Sequence, residues 1–298
     1  MANLSDVMSQ RSSIHYFSPM RYTTMKCLIM VFMAGAVLTF LTAPTQGASI
    51  AGYWNLDENG GSTAADSGPL GKDGTLGGTY AWVPGISGSG VEFTGLLTGT
   101  DGWMDCEDVL GNIGTGDLTI SLWVKSVKAQ NFHILYEHGH TNSPGPGINI
   151  SNDERAAYAG LRGQFREDAT WDQAQEDGYV LDTEWHHIVL GRDGTSGKVL
   201  LYRDNAKVAE VDSTPMDMDL TGTTITWGNV GDVTSGVYHN FGASAVLDDL
   251  QIYTGWVGEG GVDFLYNNPG SVVPEPTTVA LLVTGLLGFI MVVRRKRK

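Results

Sequence analysis

Three aspartates stand where hard oxygen chemistry could gather. Asp66 and Asp73 lie in glycine-rich loops, and Asp248 falls on the apolar side of the alternating run Leu247 to Tyr253. With loop carbonyls and water they could complete a calcium site. The competing reading has Asp66 and Asp73 closing Asx turns and Asp248 accepting a backbone hydrogen bond, since a carboxylate on an apolar face needs a partner. Glu137-His138-Gly139-His140, with His133 nearby, places two imidazoles two residues apart. Zinc proteases space that pair by four on a helix, so a solvated loop is expected here instead. His186 and His187 are neighbours on an extended segment and point to opposite faces, which prevents joint action. Trp103, Trp171, Trp227 and Trp256 lie near loops. An indole face can stack on a pyranose ring or fill a core, and both readings stay open.

These groups need elements to hold them. The strongest local signal is Trp185 to Arg192, a turn at Asp193-Gly194-Thr195-Ser196-Gly197, then Lys198 to Asp204. Two β-rich runs around a Gly/Asp/Ser segment predict an antiparallel hairpin, and their adjacent apolar residues predict burial on both faces. Further strands are expected at Ile50–Leu56, Val91–Thr94, Trp103–Cys106, Leu118–Lys125, Asn131–Glu137, Gly147–Ser151, Ala157–Arg162, Gly178–Leu181, Ala206–Val211, Thr223–Asn229 and Ala245–Tyr253. Only Gly261–Tyr266 suggests a brief helical turn. About a dozen short strands separated by turns imply an all-β, two-sheet antiparallel jelly-roll sandwich. In Thr119 to Val124, Ile120, Leu122 and Val124 share the core face, which leaves Trp123 on the other.

The ends read differently from the middle. Arg21 and Lys26 precede the apolar run Cys27 to Leu41 and the small residues before Ala48, the order of a secretory signal peptide over residues 1–48. Met20 or Met25 offers a more ordinary start, with residues 1–19 then untranslated. Residues 269–276 form a linker, Thr277 to Val293 an apolar run, and Arg294 to Lys298 a basic tail. As a helix the run reaches about 26 Å, enough for a bilayer core. The basic tail stays cytoplasmic, so the body faces outward.

Charge narrows the partners. Of 18 basic and 33 acidic residues, the two ends hold Arg11, Arg21, Lys26 and the five tail cations against Asp6 and Glu275. The part between keeps 10 basic and 31 acidic residues, near −21. Nucleic acid is excluded, because binding it requires cations that neutralise phosphate; divalent cations or neutral polymers fit better. Cys27 falls in the signal peptide, so Cys106 has no mate for an intramolecular disulfide and reads as an apolar filler.

Pro274-Glu275-Pro276, a single apolar helix and a terminal basic cluster resemble the PEP-CTERM sorting signal of exopolysaccharide-producing Gram-negative bacteria. The resemblance implies recognition by an exosortase, a membrane cysteine transpeptidase that cuts near this motif. It also implies transient anchoring in the inner membrane before release or transfer to the cell surface. The middle, residues 49–268, is similar to the LamG-like jelly roll of the concanavalin A-like lectin/glucanase superfamily. That resemblance rests on Tyr53-Trp54-Asn55-Leu56-Asp57-Glu58, Asp66-Ser67-Gly68, Gly88-Ser89-Gly90-Val91-Glu92-Phe93, Leu118 to Val124, Trp185 to Val189, Leu201-Tyr202-Arg203-Asp204 and Leu247 to Tyr253. It implies a structural calcium at a sandwich edge and binding of extracellular polysaccharide without catalysis. The alternative is adhesion through protein partners. Glucanases of this fold place Glu, Asp and Glu at alternate positions of one strand. Asp105-Cys106-Glu107-Asp108 has only two alternating carboxylates and reads as a strand end entering a loop. Where family members carry Asp-Gly, this chain has Asp204-Asn205, leaving that turn's type undecided.

Overall fold

The hairpin that dominates the sequence is present in the computed structural model, which describes residues 47–94, 101–126, 132–139, 145–153, 159–178, 181–228 and 244–275. Among these residues the strands are β1 Ser49–Trp54, β2 Thr63–Ala64, β3 Gly74–Gly77, β4 Tyr80–Pro84, β5 Ser89–Phe93, β6 Trp103–Glu107, β7 Asn112–Gly114, β8 Leu118–Ser126 and β9 Phe132–Gly139. They continue with β10 Gly147–Asp153, β11 Gly160–Glu167, β12 Thr170–Asp177, β13 Trp185–Asp193, β14 Lys198–Arg203, β15 Ala206–Asp212, β16 Met218–Asp219, β17 Thr224–Trp227 and β18 Ala245–Thr254. One helix follows, α1 Gly258–Asn267.

The first sheet has the order β15-β14-β13-β8-β18-β5-β4, with β1 also paired to β18; the second runs β12-β11-β10-β9-β17-β6-β3-β2. All named pairings are antiparallel, and β16 with β7 makes a small separate ladder. Ile120, Leu122 and Val124 of β8, Ile188 and Leu190 of β13, and Leu250 and Ile252 of β18 meet Met104, Tyr136, Ile150, Phe165 and Trp227 of the second sheet in one core. Two-sided burial of β13 and β14, expected from their unbroken apolar runs, has a direct cause. The outer side of the first sheet carries a second apolar cluster, in which Val189, Tyr202 and Tyr253 pack beneath Trp256, Val262 and Leu265 around α1.

Several expectations change. Gly261–Tyr266 extends to the ten-residue helix α1, whose Tyr266 stacks on Trp123 at 5.8 Å and covers it. The segment Thr170–Asp177, where no strand was expected, is strand β12, and Gly178–Leu181 is not assigned as strand among its described residues. Asp172, Gln173, Gln175, Glu176 and Asp177 give β12 little β propensity; its register against β11 supplies the structure. Strict alternation along β18 also fails. Leu247 and Leu250, three apart, both enter the core, because a bulge between Asp248 and Gln251 inserts a residue and leaves Asp249 at φ 51°. The Asp204-Asn205 question resolves as a two-residue loop with both residues left-handed, φ 52° and 64°. That is the type I′ geometry whose twist suits a hairpin, and Asp and Asn tolerate it.

Candidate functional site

Across the second sheet the registers align one row of polar residues. Thr75 of β3 pairs with Asp105 of β6, Asp105 with Thr226 of β17, Thr226 with Glu137 of β9, Glu137 with Asn149 of β10, Asn149 with Gln164 of β11, and Gln164 with Gln173 of β12. Seven strands at about 4.8 Å spacing make a row about 29 Å long. The next register along is Leu76, Met104, Trp227, Tyr136, Ile150, Gly163 and Ala174. All but the glycine belong to the core; at Gly163 a side chain would strike Leu190, so the opposite sheet fills the gap. Since side chains alternate, the polar row faces away from the core.

Side-chain hydrogen bonds order this face. Thr226 Oγ1 donates to Asp105 Oδ1 at 2.7 Å, and Asn149 Nδ2 donates to the Tyr136 carbonyl at 3.4 Å. Gln164 donates to Gln173, Gln173 Nε2 donates to Gln175 Oε1 at 2.7 Å, and Gln175 Nε2 reaches the Ala159 carbonyl at 3.1 Å. Burial raises the Asp105 carboxyl above its usual range, and the Thr226 hydroxyl works against that rise. The row is buried at Glu137 and Asn149 and opens toward both ends.

The four tryptophans separate by environment. Trp227 is fully buried, 6.0 Å from Trp54 and 4.6 Å from Tyr136 between ring centroids. Trp256 is buried over Gly191 and beside Tyr202. Neither can serve as a sugar platform, because each ring is enclosed by core packing. Trp103 is half-buried on the outer face of β6, where the missing side chain of Gly77 leaves room for its ring. Trp171 is 63% exposed and sits on the same side of β12 as Gln173 and Gln175. From the registers, Trp103 lies toward the Gln175 end of the face and Trp171 toward the Glu107 end, so the two indoles occupy opposite corners.

The histidine segment is not a solvated loop through its described residues. Glu137 and His138 lie buried in β9, with His138 Nε2 3.1 Å from Asp108 Oδ1. Burial lowers the His138 basicity against the pull of Asp108. Burial also tends to raise Asp108, but the His138 contact and the Gly111 and Leu110 amides outweigh it. His140 and the His133 side chain lie outside the described residues. Cys106 is a buried free thiol in the core, and desolvation pushes it well up. Asp105 and Glu107 lie at the end of β6 and Asp108 leads out of it into a loop, as expected.

Of the three aspartates, Asp66 and Asp73 come together, while Asp248 stands apart from them on strand β18. Asp66 Oδ1 accepts from the Tyr53 and Gly68 amides, Oδ2 accepts from Lys72, and Asp73 Oδ1 accepts from the Asp66 amide. Asp248 Oδ2 accepts from Ile86 and Ser87 and Oδ1 from Asp249, and burial pushes its carboxyl up to about 7. Among the described residues no group of three or more His, Cys, Asp or Glu side chains is arranged to hold a metal. The residues therefore do not converge on a single calcium centre. Beside the β4–β5 turn that Asp248 holds, an open cleft of about 400 Å³ is lined by Asp57, Asn59, Trp82, Pro84 and Ser89.

Two stacked antiparallel sheets, one outer face sealed by a helix and the other polar, define a lectin-type jelly roll. The chain belongs to the Concanavalin A-like lectin/glucanases superfamily, whose model matches residues 98–259. Residues 272–298 match the PEP-CTERM protein-sorting motif, which marks the chain for export and membrane-anchored sorting toward the cell surface. No curated protein matches. Among solved structures, the chain is similar to domain 4 of AbnA, a GH43 extracellular arabinanase from Geobacillus stearothermophilus, in complex with arabinotriose. That match has 17% identity and a TM-score of 0.56, and it covers 74% of this chain and 99% of that one. It is also similar to the binding domain of botulinum neurotoxin serotype G, at 12% identity and TM-score 0.57, covering 73% of this chain and half of that one. A third similar structure is the binding domain of botulinum neurotoxin DC in complex with rat synaptotagmin II, at 12% identity and TM-score 0.54, covering 74% and 51%. At these identities the likeness speaks for the fold. No helix among the described residues is long and apolar enough to cross a membrane, and the run Thr277 to Val293 lies outside them, as does Pro276.

Proposed function

We propose that this exported chain binds extracellular polysaccharide, without catalysis, on the outer face of its second sheet. The observation that carries the reading is Trp171: an indole 63% exposed, in line with Gln173 and Gln175 on one strand. An apolar platform beside a row of amides and hydroxyls suits a sugar, whose ring face stacks while its hydroxyls exchange hydrogen bonds. Fixing these amides to one another lowers the cost of ordering them on binding. The strong negative charge of the body favours a neutral polymer over an acidic one.

Catalysis fits less well. Asp105 and Glu137 are separated by β17, about 10 Å between backbones, whereas retaining glycosidases hold their carboxyl groups about 5 Å apart. Thr226 moreover occupies one Asp105 oxygen. A glycan array with the purified exported chain tests the reading, with neutral glycans expected to bind. Trp171→Ala should weaken binding about tenfold, the upper part of what an aromatic contact contributes, with an unchanged melting temperature. Glycan silence combined with self-association or protein capture favours the adhesion reading instead, which the synaptotagmin complex of one structural neighbour makes reasonable. Turnover of β-glucans or galactans would establish hydrolysis. Calcium is a separate proposal, drawing on Asp66, Asp73 or Asp248 at the expense of their amide contacts: a higher melting temperature on adding calcium to chelator-treated protein supports it, and no change removes it.

A further inference from the structure

The outer face of β18 holds the start of the sorting signal. Three successive outward side chains, Asp249, Gln251 and Tyr253, are buried, and each grips the chain that leaves α1. The Gly270 amide donates to Asp249 Oδ2 at 3.0 Å, Gln251 Nε2 donates to the Ser271 carbonyl at 3.1 Å, and the Val273 amide donates to Tyr253 Oη at 3.0 Å. The three side chains are themselves linked, since the Tyr253 hydroxyl donates to Gln251 Oε1 and Gln251 Nε2 donates to Asp249 Oδ1 at 2.8 Å. Both hydrogens of the Gln251 amide are thus used, one along the ladder and one on the strap. The Val273 side chain packs with the cluster around α1, and Gly270 takes the left-handed φ of 80° that turns the chain onto this path. Pro274 and Glu275, the next residues, are exposed.

We propose that Asp249, Gln251 and Tyr253 are positioning residues for the sorting reaction: by pinning residues 270–273 they withhold the chain ahead of Pro274-Glu275-Pro276 from the processing enzyme until this strap peels away. An enzyme that reads an extended peptide needs free backbone amides and carbonyls on both sides of its motif. Here the Gly270 and Val273 amides and the Ser271 carbonyl are engaged internally. The tether is short as well. From Val273 to Thr277 the chain spans at most about 14 Å, so the strapped sandwich stays close to the membrane surface while the apolar run is inserted. Processing then takes place on the peeled fraction and slows in proportion as that fraction shrinks. This inference rests on the sorting motif and is independent of the glycan-binding reading.

The test is pulse-chase of the full-length precursor in cells that contain the processing enzyme, with two changes. Tyr253→Phe removes the hydroxyl that accepts from Val273 and donates to Gln251. A Gly-Ser insertion after Val273 leaves every strap contact intact and supplies free chain ahead of the motif. Each should shorten the precursor's half-life at least about threefold, a change that one ordinary hydrogen bond can supply, and Tyr253→Phe should add nothing once the insertion is present. A purely structural role for Tyr253 would lower the melting temperature and leave the insertion variant processed at the original rate. Unchanged or slower processing in the insertion variant overturns the proposal, as does a further acceleration when the two changes are combined.

Discussion

Single side chains here answer to their neighbours more than to their type. His186 and His187 are adjacent in sequence and chemically opposite. His186 bridges Asp204 Oδ2 at 2.8 Å and Asp182 Oδ1 at 3.2 Å, and the Asp204 contact raises its basicity. His187 is buried against Ser121 Oγ at 2.8 Å, and desolvation drives it down to about 3. A histidine raised in the folded state contributes stability that is complete below its unfolded value near 6.5 and fades as pH climbs through the folded value. The melting temperature should therefore fall more steeply above pH 6.5 in the native chain than in His186→Gln, a difference that thermal melts across that range will read. Protonation of His187 acts in the other direction, removing stability as pH falls from 6.5 toward 3. Cys106 illustrates the same dependence on surroundings. Cys106→Ser places a hydroxyl in the core and should cost about 1–3 kcal/mol in denaturant titrations.

At the scale of elements, α1 decides what the first sheet exposes. Its Leu265 and Val262 cover Val189, Leu200 and Tyr253, and its Tyr266 covers Trp123. Trp123 consequently loses the surface role that strand alternation alone would give it. Leu265→Ala opens a cavity under the helix and should cost about 2–4 kcal/mol, read by denaturant unfolding and by red-shifted tryptophan emission. The bulge in β18 shows how one extra residue redirects a strand. Without it, Leu247 and Leu250 could not both reach the core. In β12 the outward Gln173 and Gln175 belong to the proposed glycan surface, and the run of polar residues is what hid the strand. An edge strand with polar side chains also resists pairing with other chains.

Across the whole molecule, the two sheets are joined at one edge by Arg203 of β14, whose Nε and Nη2 donate to the two carboxylate oxygens of Glu176 on β12 at 2.9 and 2.7 Å. This bidentate pair ties the first sheet to the strand that carries Trp171. Arg203→Lys should loosen the geometry and weaken glycan binding severalfold while costing only about 1 kcal/mol of stability; paired binding and unfolding measurements will separate the two effects. The body's surplus of acidic residues makes a second statement at this scale. Affinity for a neutral glycan should hold nearly constant from low to high salt, because screening alters only charge–charge terms; a steep salt dependence would point to a charged ligand.

The amino-acid order by itself determined the β class, the central hairpin, the core residues of β8 and the sorting motif at the end. Each is written in neighbouring residues, through the two-residue alternation of a strand, the turn chemistry of Gly and Asp, or an uninterrupted apolar run. Tertiary structure alone decided which tryptophan stays in the open, which aspartates meet, and that Asp105, Thr226, Glu137, Asn149, Gln164 and Gln173 stand in one row. Those six come from positions spread over more than a hundred residues. They are brought level only by inter-strand register, a long-range quantity set by how every strand satisfies its backbone hydrogen bonds and buries its apolar face at once.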